Sequence, residues 1–214
     1  MILTVGNPKG GVGKSTIAVQ ISLALAAHGQ RVWLIDGDRQ GTSLGAITVR
    51  AESGRPPIAA AAYPDGATLR SQVNQQRHLH DHIIIDAGGR DSTALRAALT
   101  VSNLVLIPFQ PRSFDVWALN DAAAILAEAR AVHDIKAVAL LNAADPQGGD
   151  NAEAEDALRE LDGIELLPVR ITRRKAIAHA SGAGLSVEEY KPRDAAACSE
   201  IAALVETLFG IKNT

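Results

Sequence analysis

Cysteine is nearly absent from this chain: Cys198 is the only one in 214 residues. That excludes an intramolecular disulfide and a cysteine-built metal cluster within one chain, and it suits a reducing cytoplasm. Cys198 itself is expected to be a small buried residue on a late helix. Aromatic residues contribute only 3%, too few to suggest stacking platforms. No apolar run approaches the roughly 20 residues of a membrane span. Met1 leads straight into an apolar stretch with no basic segment ahead of it, so a secretory leader is not expected. The net charge is only −3, so contact with nucleic acid would need a local patch. What remains is a chain that is 47% hydrophobic, enough for one substantial core and a single domain over residues 1–214.

Residues 9–16 read Lys-Gly-Gly-Val-Gly-Lys-Ser-Thr, after the apolar stretch Ile2–Val5 and before a helix-like run from Ile17 to Ala27. Strand, glycine-rich loop and helix in that order form a phosphate cradle. Gly10, Gly11 and Gly13, with Val12 between them, let successive backbone N–H groups turn inward. Lys14 reaches the β- and γ-phosphates, the Ser15 hydroxyl is placed for Mg²⁺, and Thr16 completes the loop. The usual phosphate-loop pattern wants glycine where this chain has Pro8, so the match is to a variant loop carrying an extra lysine, Lys9.

Other short apolar runs alternate with helical patterns along the chain. Val32–Ile35 ends at Asp36, Ile83–Ile85 at Asp86, Leu104–Ile107 at Pro108 and Ala137–Leu141 at Asn142. Strands apolar on both faces belong to a mostly parallel, twisted sheet with helices on each side, an α/β architecture. Helices are expected near 14–28, 41–51, 92–101, 115–131, 151–161 and 194–209, with a short strand near 58–62. Ligands of such sheets bind beyond the carboxyl ends of the strands, so the residues closing each run share one rim with the phosphate loop.

On that rim Asp86 reads as the carboxylate that supports a Mg²⁺ shell, largely through water. Gly88 and Gly89 follow it and would let a loop respond to the γ-phosphate. Asp36 and Asp38, one residue apart at a strand end, point in different directions. One can support Mg²⁺ waters, and Asp38 is the candidate for facing the attacking water.

These motifs together resemble the ParA/MinD family of ATPases. The carriers are the deviant Walker A box at Lys9–Thr16, the Asp36-x-Asp38-x-Gln40 box, Asp86 and Asn142. In the tail they are Leu167-Pro168, Ile171-x-x-Arg174 and Gly184–Glu189. The resemblance covers nearly the whole chain and is nearest to short ParA-type partition ATPases without an N-terminal DNA-reading domain. It implies ATP and Mg²⁺ as cofactors, with Lys9 crossing a homodimer interface to the partner subunit's nucleotide. It further implies Lys14 and Ser15 in the phosphate loop, Asp38 activating water, and Asp36 and Asp86 around the metal. Asn142 would read adenine, with Pro168 beside the nucleotide. One departure is plain: the family usually has proline after the second aspartate of the box, and this chain has Arg39.

Between Pro168 and Arg193 lie Arg170, Arg173, Arg174, Lys175, Lys191 and Arg193, opposed in that stretch by Glu188 and Glu189. Such a strip gives phosphate contacts without sequence readout. With the resemblance, it implies ATP-dependent binding of non-specific DNA through Arg173, Arg174, Lys175 and Arg193, and a cytoplasmic, nucleoid-associated protein. The cargo would be a plasmid, a chromosome or another large body, engaged through a separate ParB-like or adaptor partner. A MinD-like membrane-cycling regulator needs a basic amphipathic C-terminal helix, whereas Ile201–Thr214 carries one Lys and one Glu and reads as core-packing. A metabolic enzyme on the same scaffold would need a second substrate pocket, and none is distinct. The lone cysteine excludes an electron carrier like nitrogenase iron protein. His78, His80 and His82 alternate at period two and read as a polar lead-in to the Asp86 strand rather than a metal site. Trp117 reads as a core or dimer-facing aromatic.

Overall fold

A computed structural model describes residues 1–89, 92–147 and 149–212, and the side chains of all of these except 113–118. Trp117 therefore lies outside the side chains described. Seven strands form one parallel sheet in the order β3-β2-β4-β1-β5-β6-β7. They are β1 (Ile2–Val5), β2 (Val32–Asp36), β3 (Ala59–Ala62), β4 (His82–Asp86), β5 (Leu104–Phe109), β6 (Lys136–Ala144) and β7 (Glu165–Thr172). Every neighbouring pair is parallel. The helices are α1 (Lys14–Ala27), α2 (Thr42–Glu52), α3 (Gly66–Gln76), α4 (Thr93–Leu99), α5 (Ser113–Arg130), α6 (Asp150–Arg159), α7 (Lys175–Gly182) and α8 (Ala195–Phe209).

Alternation within the strands separates two cores. Leu3, Val5, Leu34 and Ile84 face α1, α2, α7 and α8. Ile2, Trp33, Ile35, Ile83 and Ile85 face α3 and α4, and β5 and β6 pack α5 and α6 on the same side. Both faces are covered, which is why the strands read as unbroken apolar runs. α1 is buried almost all round, and Gln20, wholly buried within it, bonds to Ser181 Oγ, Leu185 O and the Val187 N–H.

Three elements lie outside the sequence expectation. α3 buries only Gly66, Leu69 and Val73, so its apolar period is faint, although Asp65 caps it by accepting from the Thr68 N–H at 2.9 Å. β7 is an edge strand with Pro168 inside it, and its pairing shifts register beside that residue. Proline is tolerated in a sheet at such an edge. α7 is a single short helix of eight residues ending in glycine. The three histidines do lead into the Asp86 strand, but they do not share one face, because the segment is extended only from His80 on. His78 lies in the 3-10 turn Arg77–Leu79, His80 stacks on Trp33 at 5.3 Å, and His82 meets the edge of Phe209 at 4.9 Å. Cys198 is buried in α8, as expected. Among the described residues no helix is long and apolar enough to cross a membrane.

Candidate nucleotide site

The rim inferred from sequence is real. Pairing sets Asp36 opposite Asp86 and Asp86 opposite Val5, so both carboxylates border the start of the phosphate loop. β1 leaves the sheet between β4 and β5, the point where chain connections diverge to either side. The loop enters α1 through Gly13, whose φ of 92° is left-handed. A Cβ there would stand 2.3 Å from Asn142 Nδ2, so only glycine fits. The first turn of α1 presents free N–H groups and the positive end of the helix dipole to whatever occupies the loop.

The loop's carbonyls are tied down from outside. Asn142 Nδ2 donates to Val12 O at 2.7 Å, Gln110 Nε2 to Gly11 O at 3.0 Å, and Lys14 Nζ to Lys9 O at 2.7 Å. Asn7, itself buried, donates to Pro108 O and accepts from the Lys9 N–H, both at 2.9 Å. Burial lowers the pKa of Lys14, opposed by the charges of Asp86 and Asp38. Asn142 thus sits against the underside of the loop. Gln110 and Ser43 were not singled out from sequence. Gln110 directly follows the strand-ending Pro108-Phe109, and Ser43 follows the acidic box; position on the rim was the only available signal.

Asp36 is fully buried, and both its oxygens serve the backbone: Oδ1 accepts from the Asp38 N–H at 3.0 Å and Oδ2 from the Leu44 N–H at 2.9 Å. It holds the loop that carries Asp38 and caps the start of α2. Asp38 is half-buried and accepts from the Gln40 N–H at 3.1 Å. Its carboxyl leans on Gly88, where a Cβ would come within 3.3 Å of it. Arg39 is exposed at the tip of the same turn.

Asp86 is buried at 1% exposure, and neither its Oδ2 nor the buried Ser43 Oγ has a hydrogen-bond partner among the described residues. Burial pushes its pKa up to about 7. The Asp36 charge adds to the rise, while the hydroxyls of Ser15 and Ser43 and the Lys14 ammonium oppose it. A buried carboxyl with one oxygen unpartnered, beside the Ser15 and Ser43 hydroxyls, is an all-oxygen set that suits Mg²⁺ held through water. Among the described residues no three His, Cys, Asp or Glu side chains converge as a ready-made metal cage.

Two expected contacts are corrected. Pro168 is not on the rim: Ile171 pairs with Asn142, so Pro168 lies three residues further down β7, about 10 Å along the strand. Arg174 is not part of an open basic strip. It donates to Glu200 at 2.9 Å and lies 3.7 Å from Asp194, while Glu200 also accepts from the Thr172 N–H. Arg173 faces Asp145 at 3.6 Å and Arg193 faces Glu188 at 2.8 Å. A linear charge count missed Asp145 and Glu200 because folding brings them in from distant sequence. Arg170, Lys175 and Lys191 are exposed and carry no ion pair among the described residues.

Over residues 3–187 the sequence matches the family described as the CobQ/CobB/MinD/ParA nucleotide binding domain. Two proteins named Maintenance of carboxysome distribution protein A are similar over most of their lengths. The one from Halothiobacillus neapolitanus is 27% identical, with 93% of this chain and 92% of the relative covered. The one from Gloeobacter kilaueensis is 30% identical, with 91% and 87% covered. Among solved structures, an ATP complex of McdA from Cyanothece superposes with a TM-score of 0.80 at 15% identity, covering 100% of this chain and 97% of that one. The MinD cell division ATPase of Pyrococcus furiosus does so with a TM-score of 0.75 at 20% identity, covering 97% of each. At those identities the superpositions speak for the fold alone. The cradle, its lysine and the two strand-end carboxylates agree with the sequence match, and this chain belongs to the CobQ/CobB/MinD/ParA nucleotide-binding family.

Proposed function

We propose that this chain is a ParA-like ATPase that closes as a homodimer over ATP and Mg²⁺, and that hydrolysis resets the dimer. The carrying observation is the convergence of the phosphate loop, Lys14, Asp38 and Asp86 on one rim. Gly10, Gly11, Val12, Gly13, Lys14, Ser15 and Thr16 would hold the phosphates. Mg²⁺ would be held by Ser15 with Asp86 behind its waters, neutralising phosphate charge. Asp38, resting against Gly88, would orient the attacking water and take its proton. Lys9 would supply positive charge to the partner subunit's phosphates, as an arginine finger does elsewhere.

The dimer would act in the cytoplasm on the nucleoid, carrying plasmid, chromosome or another large cargo through a ParB-like or adaptor partner. DNA phosphates would meet the exposed Lys175, with Arg173 and Arg193 available by exchanging their carboxylates for phosphate. A membrane-cycling role finds less support, because the apolar face of α8 (Cys198, Ile201, Leu204, Val205) is spent on the core. The test is ATP turnover with and without DNA for wild type, Lys9→Ala and Asp38→Ala. Lys9→Ala should abolish turnover and impair dimer formation, while Asp38→Ala should bind ATP and accumulate a long-lived dimer. Full turnover by Lys9→Ala would defeat the shared-site reading.

A further inference from the structure

Two side-chain amides grip consecutive carbonyls of the phosphate loop. Gln110, just beyond β5, donates to Gly11 O at 3.0 Å, and Asn142, near the end of β6, donates to Val12 O at 2.7 Å. An amide that meets a carbonyl must present its N–H₂, so the orientation of each is fixed by its partner. A peptide carbonyl pulled outward turns the N–H of the same peptide plane inward. The N–H groups that follow these two carbonyls belong to Val12 and Gly13, in the middle of the cradle.

Asn142 is held to this task by unusual backbone. Ala143, the next residue, has a left-handed φ of 52°, and the pairing of β6 with β7 shifts register between Asn142 and Ala144. A strained non-glycine residue in a bulge re-aims the side chain beside it. Asn142 is buried at 8% exposure, and its Nδ2 occupies the space a Cβ on Gly13 would need. In this position the asparagine fits only against glycine.

We propose that Asn142 and Gln110 are positioning residues that pre-organise the phosphate cradle before nucleotide arrives, so that Asn142 acts on phosphate affinity rather than chiefly on the choice of base. This rests on the nucleotide-site reading above. The test uses calorimetric titration of the full chain with Mg²⁺ and ATP, GTP or inorganic tripolyphosphate, which has no base. Calorimetry separates affinity from the fraction of folded protein. Asn142→Ala should weaken tripolyphosphate, ATP and GTP by a similar factor, roughly tenfold, leaving the ATP-to-GTP ratio unchanged. Gln110→Ala, at a more accessible position, should act in the same direction and decides the matter if the buried variant does not fold. Wild-type affinity for tripolyphosphate in these variants, or a loss confined to ATP, overturns the proposal. Wild-type protein that binds neither ATP nor tripolyphosphate overturns the nucleotide reading with it.

Discussion

Asp86 is a single side chain whose burial costs the ligand-free fold stability. Its folded pKa of about 7 stands above the ordinary carboxylate value of 3.8. Between those values the native state binds more protons than the unfolded chain, so stability falls as pH rises through the window. About three pH units at about 1.4 kcal/mol each set an upper bound of about 4 kcal/mol. The Asp86 contribution should therefore make ligand-free protein more stable at pH 5 than at pH 8, against the opposite pull of the half-buried His80 and His82. Asp86→Asn should flatten that dependence and raise stability at pH 8 while weakening Mg²⁺-dependent nucleotide binding. Thermal melts across pH check the first part and titrations with and without Mg²⁺ the second. An unchanged pH profile in the variant would remove Asp86 as the source.

At the scale of elements, buried polar ties fix how the helices sit on the sheet. Arg50 of α2, 7% exposed, makes two bonds to Glu189, at 2.8 and 3.1 Å, and others to Pro56 O and Gly184 O. Burial alone would raise the pKa of Glu189, but hydrogen bonds from Arg50 and the Ser186 N–H bring it down to about 2. The Gly184–Glu189 stretch, noticed in the sequence as a family-like motif, thus clamps the segment after α7 onto α2. Arg50→Ala leaves Glu189 with Arg55 and the Ser186 N–H alone and takes a donor from two carbonyls, and should cost about 2–3 kcal/mol in urea denaturation. Glu200 ties β7 to α8 by holding both Arg174 and the Thr172 N–H. Glu200→Ala should cost about 1–2 kcal/mol of stability. It also leaves Arg174 with only the longer contact to Asp194, so on the DNA-binding reading low-salt affinity should rise and the salt slope steepen by up to about one phosphate's worth. Gel shifts across a salt series read this directly.

For the whole molecule, a single parallel sheet gathers residues from Lys9 to Asn142 onto one edge, and most of that edge was legible beforehand. The runs ending at Asp36, Asp86, Pro108 and Asn142 are apolar because both sheet faces are covered, and each strand places its last polar residue at the rim. β7 was missed because an edge strand interrupted by Pro168 lacks that apolar signal. With it went the placement of Pro168, now well below the rim. If nucleotide joins two copies, light scattering should find a monomer without ligand and a dimer with ATP and Mg²⁺, returning to monomer when the metal is chelated. A mass that does not respond to ATP and Mg²⁺ would count against the shared site.

The order of residues alone determined the phosphate loop, the strand-end carboxylates and the α/β class, because these depend on local spacing and on burial that leaves a periodic trace. Tertiary structure decided which charges are available, since Asp145 and Glu200 neutralise arginines from across the fold. It also decided that Asp36 serves the backbone and that Asn142 braces the loop. Such pairings depend on distance in space, which spacing along the chain does not encode.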